Sequence, residues 1–227
     1  MVAPNILVFD MDGVLVDVGD SYRETIVQTV KHFTGKTISR DLIQDYKNQG
    51  GWNNDWALSQ KIAQDLGAPV PYDAVVDEFN RLWKGSDDAE GLVAQERWIP
   101  RPGLLEGLAS RFQLAIFTGR MHWEADITLN RFAPSIPFTP IICAEDVEMA
   151  KPAPDGLNQI AKTNPGKSML YFGDVIDDAR SSRSAGVPFV GVVAKHHSRR
   201  SEVIAQFRQE GVTAVIEDIN QIGDVVG

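Results

Sequence analysis

The sequence is short of most features that hold a protein outside the cell or against a charged surface. It has one cysteine, Cys143, in 227 residues, so no disulfide can form within the chain and a disulfide-built secreted scaffold is excluded. It has no Asn-x-Ser/Thr sequon. Its opening residues, Met1-Val2-Ala3-Pro4-Asn5, show no basic stretch followed by an apolar one, and no signal peptide is expected. No run approaches the roughly 18 apolar residues needed to span a bilayer. Basic residues are in deficit: 22 Lys and Arg face 31 Asp and Glu, for a net charge of -9 and a pI near 4.9. That balance is poor for gripping a phosphate backbone or an anionic membrane, so neither nucleic acid nor membrane is expected as a partner. It still suits a cytoplasmic enzyme with one locally cationic site for a small anion. Neither an internal repeat nor a low-complexity tract is found.

What is present is ordinary globular composition, 43% hydrophobic and 23% charged, in a chain long enough to bury a core without metal or disulfide staples. Short apolar runs at 6–9, 114–117, 141–144, 169–172, 189–193 and 213–216 read as buried strands. Helical patterns at 104–112, 123–132, 157–161, 178–185 and 201–207 lie between them. Strand and helix in alternation predict an α/β fold, a parallel sheet with helices on both faces. In such sheets ligands bind beyond the carboxyl ends of the strands. The polar residues gather there: Asp10 and Asp12, Thr118, and Asp174 with Asp177 and Asp178.

Residues 16–99 break the alternation. Their patterns are helical (22–33, 42–46, 56–66, 74–83), with turn signals at Gly35, Gly50-Gly51 and Pro69 to Pro71, and no strand is expected among them. They read as an all-α domain inserted after the first strand. The chain returns to an α/β core, made of residues 1–15 and 100–227, through Pro100-Arg101-Pro102-Gly103. The insert has nine Lys and Arg against fourteen Asp and Glu, so it is no polyanion-binding module.

Asp10 and Asp12 stand two apart at a strand end, followed by Gly13, which permits a sharp turn. Crowded carboxylates repel unless a cation joins them. Mg²⁺, which takes one or two carboxylates together with waters and phosphate oxygens, is the natural candidate. Gly173-Asp174-Val175-Ile176-Asp177-Asp178 repeats the arrangement. Within it Asp178 reads as a site carboxylate or a helix N-cap, and Asp177 as the capping or solvated member. Thr118-Gly119 offers a hydroxyl and an unhindered N–H to phosphate oxygens, or is simply a turn. Lys151, in Ala150-Lys151-Pro152-Ala153-Pro154, supplies a point charge to a phosphoryl group or is a surface charge.

Taken in order, these elements resemble the haloacid-dehalogenase (HAD) superfamily of phosphotransferases. Asp10-Met11-Asp12-Gly13-Val14-Leu15 is similar to its first motif, Phe117-Thr118-Gly119 to its second, Lys151-Pro152 to its third, and Gly173-Asp174 through Asp178 to its fourth. The helical insert resembles the subfamily I cap of phosphoglycolate phosphatases and β-phosphoglucomutases, and the likeness covers nearly the whole chain. It implies a Rossmann-like core with a helical cap. It implies Asp10 as nucleophile, becoming an aspartyl phosphate, and Asp12 as the acid that protonates the leaving group and then activates water. It implies Mg²⁺ on Asp10, on Asp12 through its main-chain carbonyl, and on Asp174, with Asp178 supporting the metal or Lys151. Thr118, Gly119 and Lys151 would hold the phosphoryl group. The family's dehalogenases lack an aspartate at the place of Asp12, so phosphate esters are favoured. The expected substrate is a small phosphorylated metabolite, and the expected assembly a monomer or homodimer. A sugar-phosphate mutase has the same motifs, and a non-catalytic binding protein could share the fold.

Specificity is expected from the insert, where Gly50-Gly51-Trp52-Asn53-Asn54-Asp55-Trp56 is the most unusual stretch. Either Trp52, Asn53 and Asn54 read the leaving group, or the stretch is a helix start with Asn54 or Asp55 as N-cap. Arg120 would touch substrate or pair with a carboxylate. Pro165-Gly166-Lys167-Ser168 suggests a phosphate loop, but it precedes a strand and lacks the earlier glycine. His196-His197 with Arg199-Arg200 reads as a solvated loop, Asp17 as a cap or hinge residue, and Cys143 as a small core residue.

Overall fold

The computed structural model describes residues 3–86 and 89–227. The chain forms two compact units, Met1–Val16 with Trp98–Gly227, and Asp17–Arg97.

The first unit is a parallel α/β sandwich, the fold class expected from the alternation. Its strands are β1 (Ile6–Phe9), β6 (Gln113–Phe117), β7 (Phe138–Ile142), β8 (Met169–Gly173), β9 (Phe189–Val192) and β10 (Ala214–Ile216), in spatial order β10-β9-β8-β1-β6-β7. The labels β2 (Val16–Asp17) and β5 (Arg97–Trp98) denote a short two-stranded ribbon, and β3 (Gly85–Ser86) and β4 (Ala89–Glu90) a second one. Every residue of β1 is fully buried, as a central strand covered on both faces must be, and this explains its unbroken apolar run. The helices of this unit are α5 (Leu104–Ala109), α6 (His122–Phe132), α7 (Asp155–Thr163), α8 (Ile176–Ala185), α9 (Arg200–Gln209) and α10 (Gly223–Val226). On one side Phe117, Tyr171, Phe189 and Phe207 pack in a row with Leu157, Ile160 and Ile176.

β7 begins three residues before the apolar run that predicts it. Thr139 and Pro140 interrupt the apolar pattern there, and β7 is an edge strand, the position where a proline costs no central ladder bond. The run also overshoots, because Cys143 and Ala144 already belong to the turn that follows.

The second unit holds α1 (Tyr22–Thr34), α2 (Arg40–Gln49), α3 (Asp55–Asp65) and α4 (Tyr72–Lys84). Tyr22, Ile26 and Val30 recur at helical spacing on α1 and are buried; Val75, Phe79 and Trp83 do the same on α4. Tyr22 lies 5.0 Å from Trp83 and 6.0 Å from Phe79 between ring centroids. The β3–β4 ribbon departs from the all-helical expectation. Gly85 makes it possible, with its φ of 85° and no room for a side chain against Gly91. Asp17 accepts the Gly19 N–H at 3.0 Å and an Arg97 nitrogen at 2.9 Å. Among the described residues no helix is long and apolar enough to cross a membrane.

Candidate active site

Register assembles the site. Phe9 pairs with Ile116 on β6 and Phe172 on β8, so the residues that follow these strand ends share one edge of the sheet. The Asp10 N–H donates to the Phe172 carbonyl at 2.9 Å, and the Thr118 N–H to the Ile142 carbonyl at 3.0 Å. Asp10, Thr118 and Asp174 are thereby brought to neighbouring positions.

Lys151 arrives on the turn before α7. It is 4% exposed, not a surface charge. Its Nζ lies 2.9 Å from Asp10 Oδ1 and 2.8 Å from Asp178 Oδ1, and 4.7 Å above the Phe117 ring. The turn is tied to α8 by the Ser181 hydroxyl, which donates to the Ala153 carbonyl at 2.8 Å. Asp178 is fully engaged: the Tyr171 hydroxyl donates to its Oδ1 at 2.7 Å, and Oδ2 accepts the N–H groups of Asp174 and Val175 at 3.1 Å each. Asp178 is thus at once a site carboxylate and the cap of α8. Asp177, expected to be the capping or solvated member, is neither; it is buried, with the α8 cap supplied by Asp178.

The electrostatics follow from this crowding. Burial, with the carboxylates of Asp178 and Asp12, pushes Asp10 up to about 7 against the opposing pull of Lys151. Burial would lower Lys151, but Asp10 and Asp178 outweigh it and hold the ammonium above its ordinary range. Burial beside Asp178 raises Tyr171 well above the usual phenol value.

Asp10, Asp174 and Asp178 each offer an oxygen, all within 4.8 Å of one another. An all-oxygen donor set of three carboxylates gathered this closely fits a hard divalent cation. Gly13 shapes this corner. Its φ is 74°, and a Cβ there would fall 2.1 Å from Asp174 Oδ2, so only glycine allows the Asp12 turn to pass so close. The Asp12 carboxylate lies outside the acidic group and is held by Arg120, whose Nε donates to Asp12 Oδ1 at 2.7 Å.

Arg120 takes the second of its two expected roles: it pairs with a carboxylate, and it is 2% exposed. Thr118 is buried, its Oγ1 accepting the Arg120 N–H at 3.2 Å, while Gly119 is exposed. In the helical unit, Asn54 is the N-cap of α3: its Oδ1 accepts the Ala57 N–H at 3.0 Å, and its amide nitrogen lies 3.3 Å from the Tyr72 hydroxyl. Trp52 sits edge-on to Tyr46 at 6.0 Å, and the Trp56 indole N–H donates to Asn80. Asn54 is therefore explained by the helix start, and Asn53 precedes it without a cap role. The 165–168 stretch lies at the opposite edge of the sheet, where Lys167 Nζ donates to Gln113. Cys143 is buried.

Two contributors carry no sequence signal of their own. Tyr171 is one of several aromatics in an apolar strand, and Thr128 is a polar residue on the buried side of α6. Only the positions of their hydroxyls, on Asp178 and on Arg120 Nη1, mark them out.

The chain matches the model of the haloacid dehalogenase-like hydrolase family over residues 7–192 and belongs to that family. It is 31% identical over 196 residues to an imidazoleglycerol-phosphate dehydratase of Phytophthora nicotianae; the match covers 82% of this chain but only 43% of that longer protein. A phosphoglycolate phosphatase of Rhodobacter capsulatus is 23% identical over 188 residues, covering 81% of this chain and 82% of that one. The crystal structure of a predicted phosphoglycolate phosphatase from Haemophilus somnus shares the fold across 100% of both chains, with a TM-score of 0.79 at 19% identity. The chain is thus a haloacid dehalogenase-like hydrolase.

Proposed function

We propose that the protein is a Mg²⁺-dependent phosphomonoesterase that acts on a small phosphorylated metabolite through an aspartyl phosphate on Asp10. The observation that carries this reading is the placement of Asp10. Its carboxylate is buried at the end of the central strand, 2.9 Å from a buried lysine and within 4.8 Å of two further carboxylates. The names of the two curated relatives each contain a small phosphorylated compound, which supports that substrate class.

In the first step an Asp10 oxygen attacks phosphorus, the bond to the ester oxygen breaks, and Asp12 gives that oxygen a proton. In the second, water attacks the aspartyl phosphate, Asp12 takes its proton, and the bond to Asp10 breaks to release inorganic phosphate. Lys151 places positive charge beside the phosphoryl oxygens, and Thr118 with the exposed Gly119 N–H offers them donors. Asp10 and Asp174, with the Asp12 main-chain carbonyl, would hold Mg²⁺; a direct contact from Asp178 would cost it one of its existing partners, so it acts by holding Lys151. When bound, the metal would neutralise charge on the transferred phosphoryl group. The helical unit is read as a cap, with Trp52 and Asn53 as its candidates for substrate contact.

The test is a screen of phosphorylated metabolites with Mg²⁺, followed by Asp10→Asn. That variant keeps the size of the side chain and loses the anionic nucleophile. Hydrolysis should fall at least about 10³-fold with the fold intact. Retained activity in the purified variant would overturn the mechanism.

A further inference from the structure

Arg120 is tied through both its backbone and its guanidinium, and one of those bonds reaches Asp12. Its backbone is fixed at both polar groups: the N–H donates to Thr118 Oγ1 at 3.2 Å, and the carbonyl accepts the Ala144 N–H at 2.9 Å. Its guanidinium is fixed at Nη1, which donates to Thr128 Oγ1 at 2.6 Å; Thr128 lies on α6 and is fully buried. Its Nε donates to Asp12 Oδ1 at 2.7 Å. The arginine side chain is 2% exposed while that of Asp12 is 31% exposed. The pair is therefore not a closed internal salt bridge. A buried, anchored cation reaches out to one oxygen of a carboxylate that is partly open to solvent.

We infer that Arg120 is a positioning residue for the acid–base step: by occupying Oδ1 it fixes the Asp12 rotamer and leaves Oδ2 as the oxygen that exchanges a proton with the leaving group. The inference rests on the phosphomonoesterase reading and adds to it a residue that does not touch substrate. Of the two roles expected for Arg120, contact with substrate or pairing with a carboxylate, it develops the second. Aspartate has a broad, roughly two-fold terminal torsion, so an unheld carboxylate would spread over orientations, and a misplacement of about 1 Å in a reacting group costs on the order of 10²-fold in rate. Lysine would not replace arginine here, because one ammonium cannot hold both Thr128 and Asp12 in the planar arrangement that guanidinium spans. The same loop carries Thr118, so the phosphate-binding turn and the acid are referenced to one anchored residue.

The experiment separates positioning of the acid from general structural support by varying the leaving group. An alkyl phosphate such as glycerol phosphate needs a proton on its departing oxygen; 4-nitrophenyl phosphate leaves as a stable anion and needs it little. The parameter to read is kcat/KM, which reports the steps up to departure of the alcohol and is blind to the later hydrolysis of the phosphoenzyme. In Arg120→Met, kcat/KM for the alkyl ester should fall about 30- to 100-fold, less than the roughly 10²- to 10⁴-fold that losing the acid itself would cost, while the aryl ester falls less than about 3-fold. In an Asp12→Asn background the same substitution should change the alkyl-to-aryl ratio less than about 2-fold, because the group it positions is gone. If Arg120→Met does not fold, Arg120→Lys keeps the charge and carries the same ratio test. An equal loss on both esters, an unchanged or increased alkyl rate, or a full effect in the Asp12→Asn background would overturn the inference while leaving the phosphatase reading in place. A wild-type protein that hydrolyses neither ester with Mg²⁺ would overturn that reading and this inference with it.

Discussion

Replacing Lys151 by methionine removes one charge and little volume, and the structure sets what should follow. The ammonium is buried between Asp10 and Asp178, at 2.9 and 2.8 Å, with its stem against the rings of Phe117 and Tyr171. Methionine fills the same apolar channel, so packing is largely kept. What is lost is the countercharge of two buried carboxylates. Breaking a buried pair by removing one partner costs about 3–5 kcal/mol, a large part of the roughly 5–15 kcal/mol that holds a domain folded. For a chain of this size that corresponds to a fall in Tm of about 6–20 °C. The loss should depend on pH with a defined sign. Asp10 in the folded protein already titrates near 7, above its unfolded value of 3.8, so the folded chain binds the extra proton between about 4 and 7. Stability from this group therefore rises as pH falls through that window, the reverse of an ordinary salt-bridged aspartate. Without Lys151 the preference for the protonated form is stronger. Urea unfolding of both proteins in EDTA at pH 8 and pH 5 should show a wide gap that narrows in acid. A variant as stable as the wild type at pH 8, or a gap that does not shrink at pH 5, would refute this account of the site.

Further outcomes follow from the same geometry. Chelation by EDTA should abolish hydrolysis and Mg²⁺ restore it, whereas Ca²⁺, with longer bonds and a higher coordination number, should inhibit; full turnover in metal-free protein would count against the carboxylate group as a metal site. Gly13→Ala should weaken Mg²⁺ binding measured by titration calorimetry, because the new Cβ would displace Asp174 from 2.1 Å away and φ there is 74°. Replacing Asn53 and Asn54 together by alanine should lower stability by about 1 kcal/mol through the lost α3 cap. The rate ratio between a polar metabolite and a small aryl phosphate should change in that double variant only if Asn53 meets the substrate, so unchanged ratios with a lowered Tm would assign the whole stretch to the helix start.

The local order of the fold was legible because its causes are local. Buried parallel strands must be continuous apolar runs, amphipathic helices must show their period, and an insertion between them interrupts the alternation. The places where expectation slipped are those where a second constraint intervened. Pro140 hid the start of β7, which only its edge position tolerates. The two-residue strands beside Gly85 are too short to leave a pattern. At the fourth motif, Asp177 and Asp178 are chemically identical in sequence. The step of about 100° between neighbouring helix positions decides which of them points back to cap α8 and hold Lys151.

The sequence by itself determined which strand ends carry carboxylates, because strand end, glycine and aspartate are neighbours along the chain and their chemistry needs no distant partner to be recognised. The tertiary structure alone decided how those groups are paired. Lys151 lies 141 residues from Asp10, and Arg120 lies 108 from Asp12. Neither distance has any trace in local periodicity. Each pairing depends on strand register, which brings β1 between β6 and β8, and on burial of at least one partner, which strips water from that charge and favours an opposite charge at hydrogen-bonding distance.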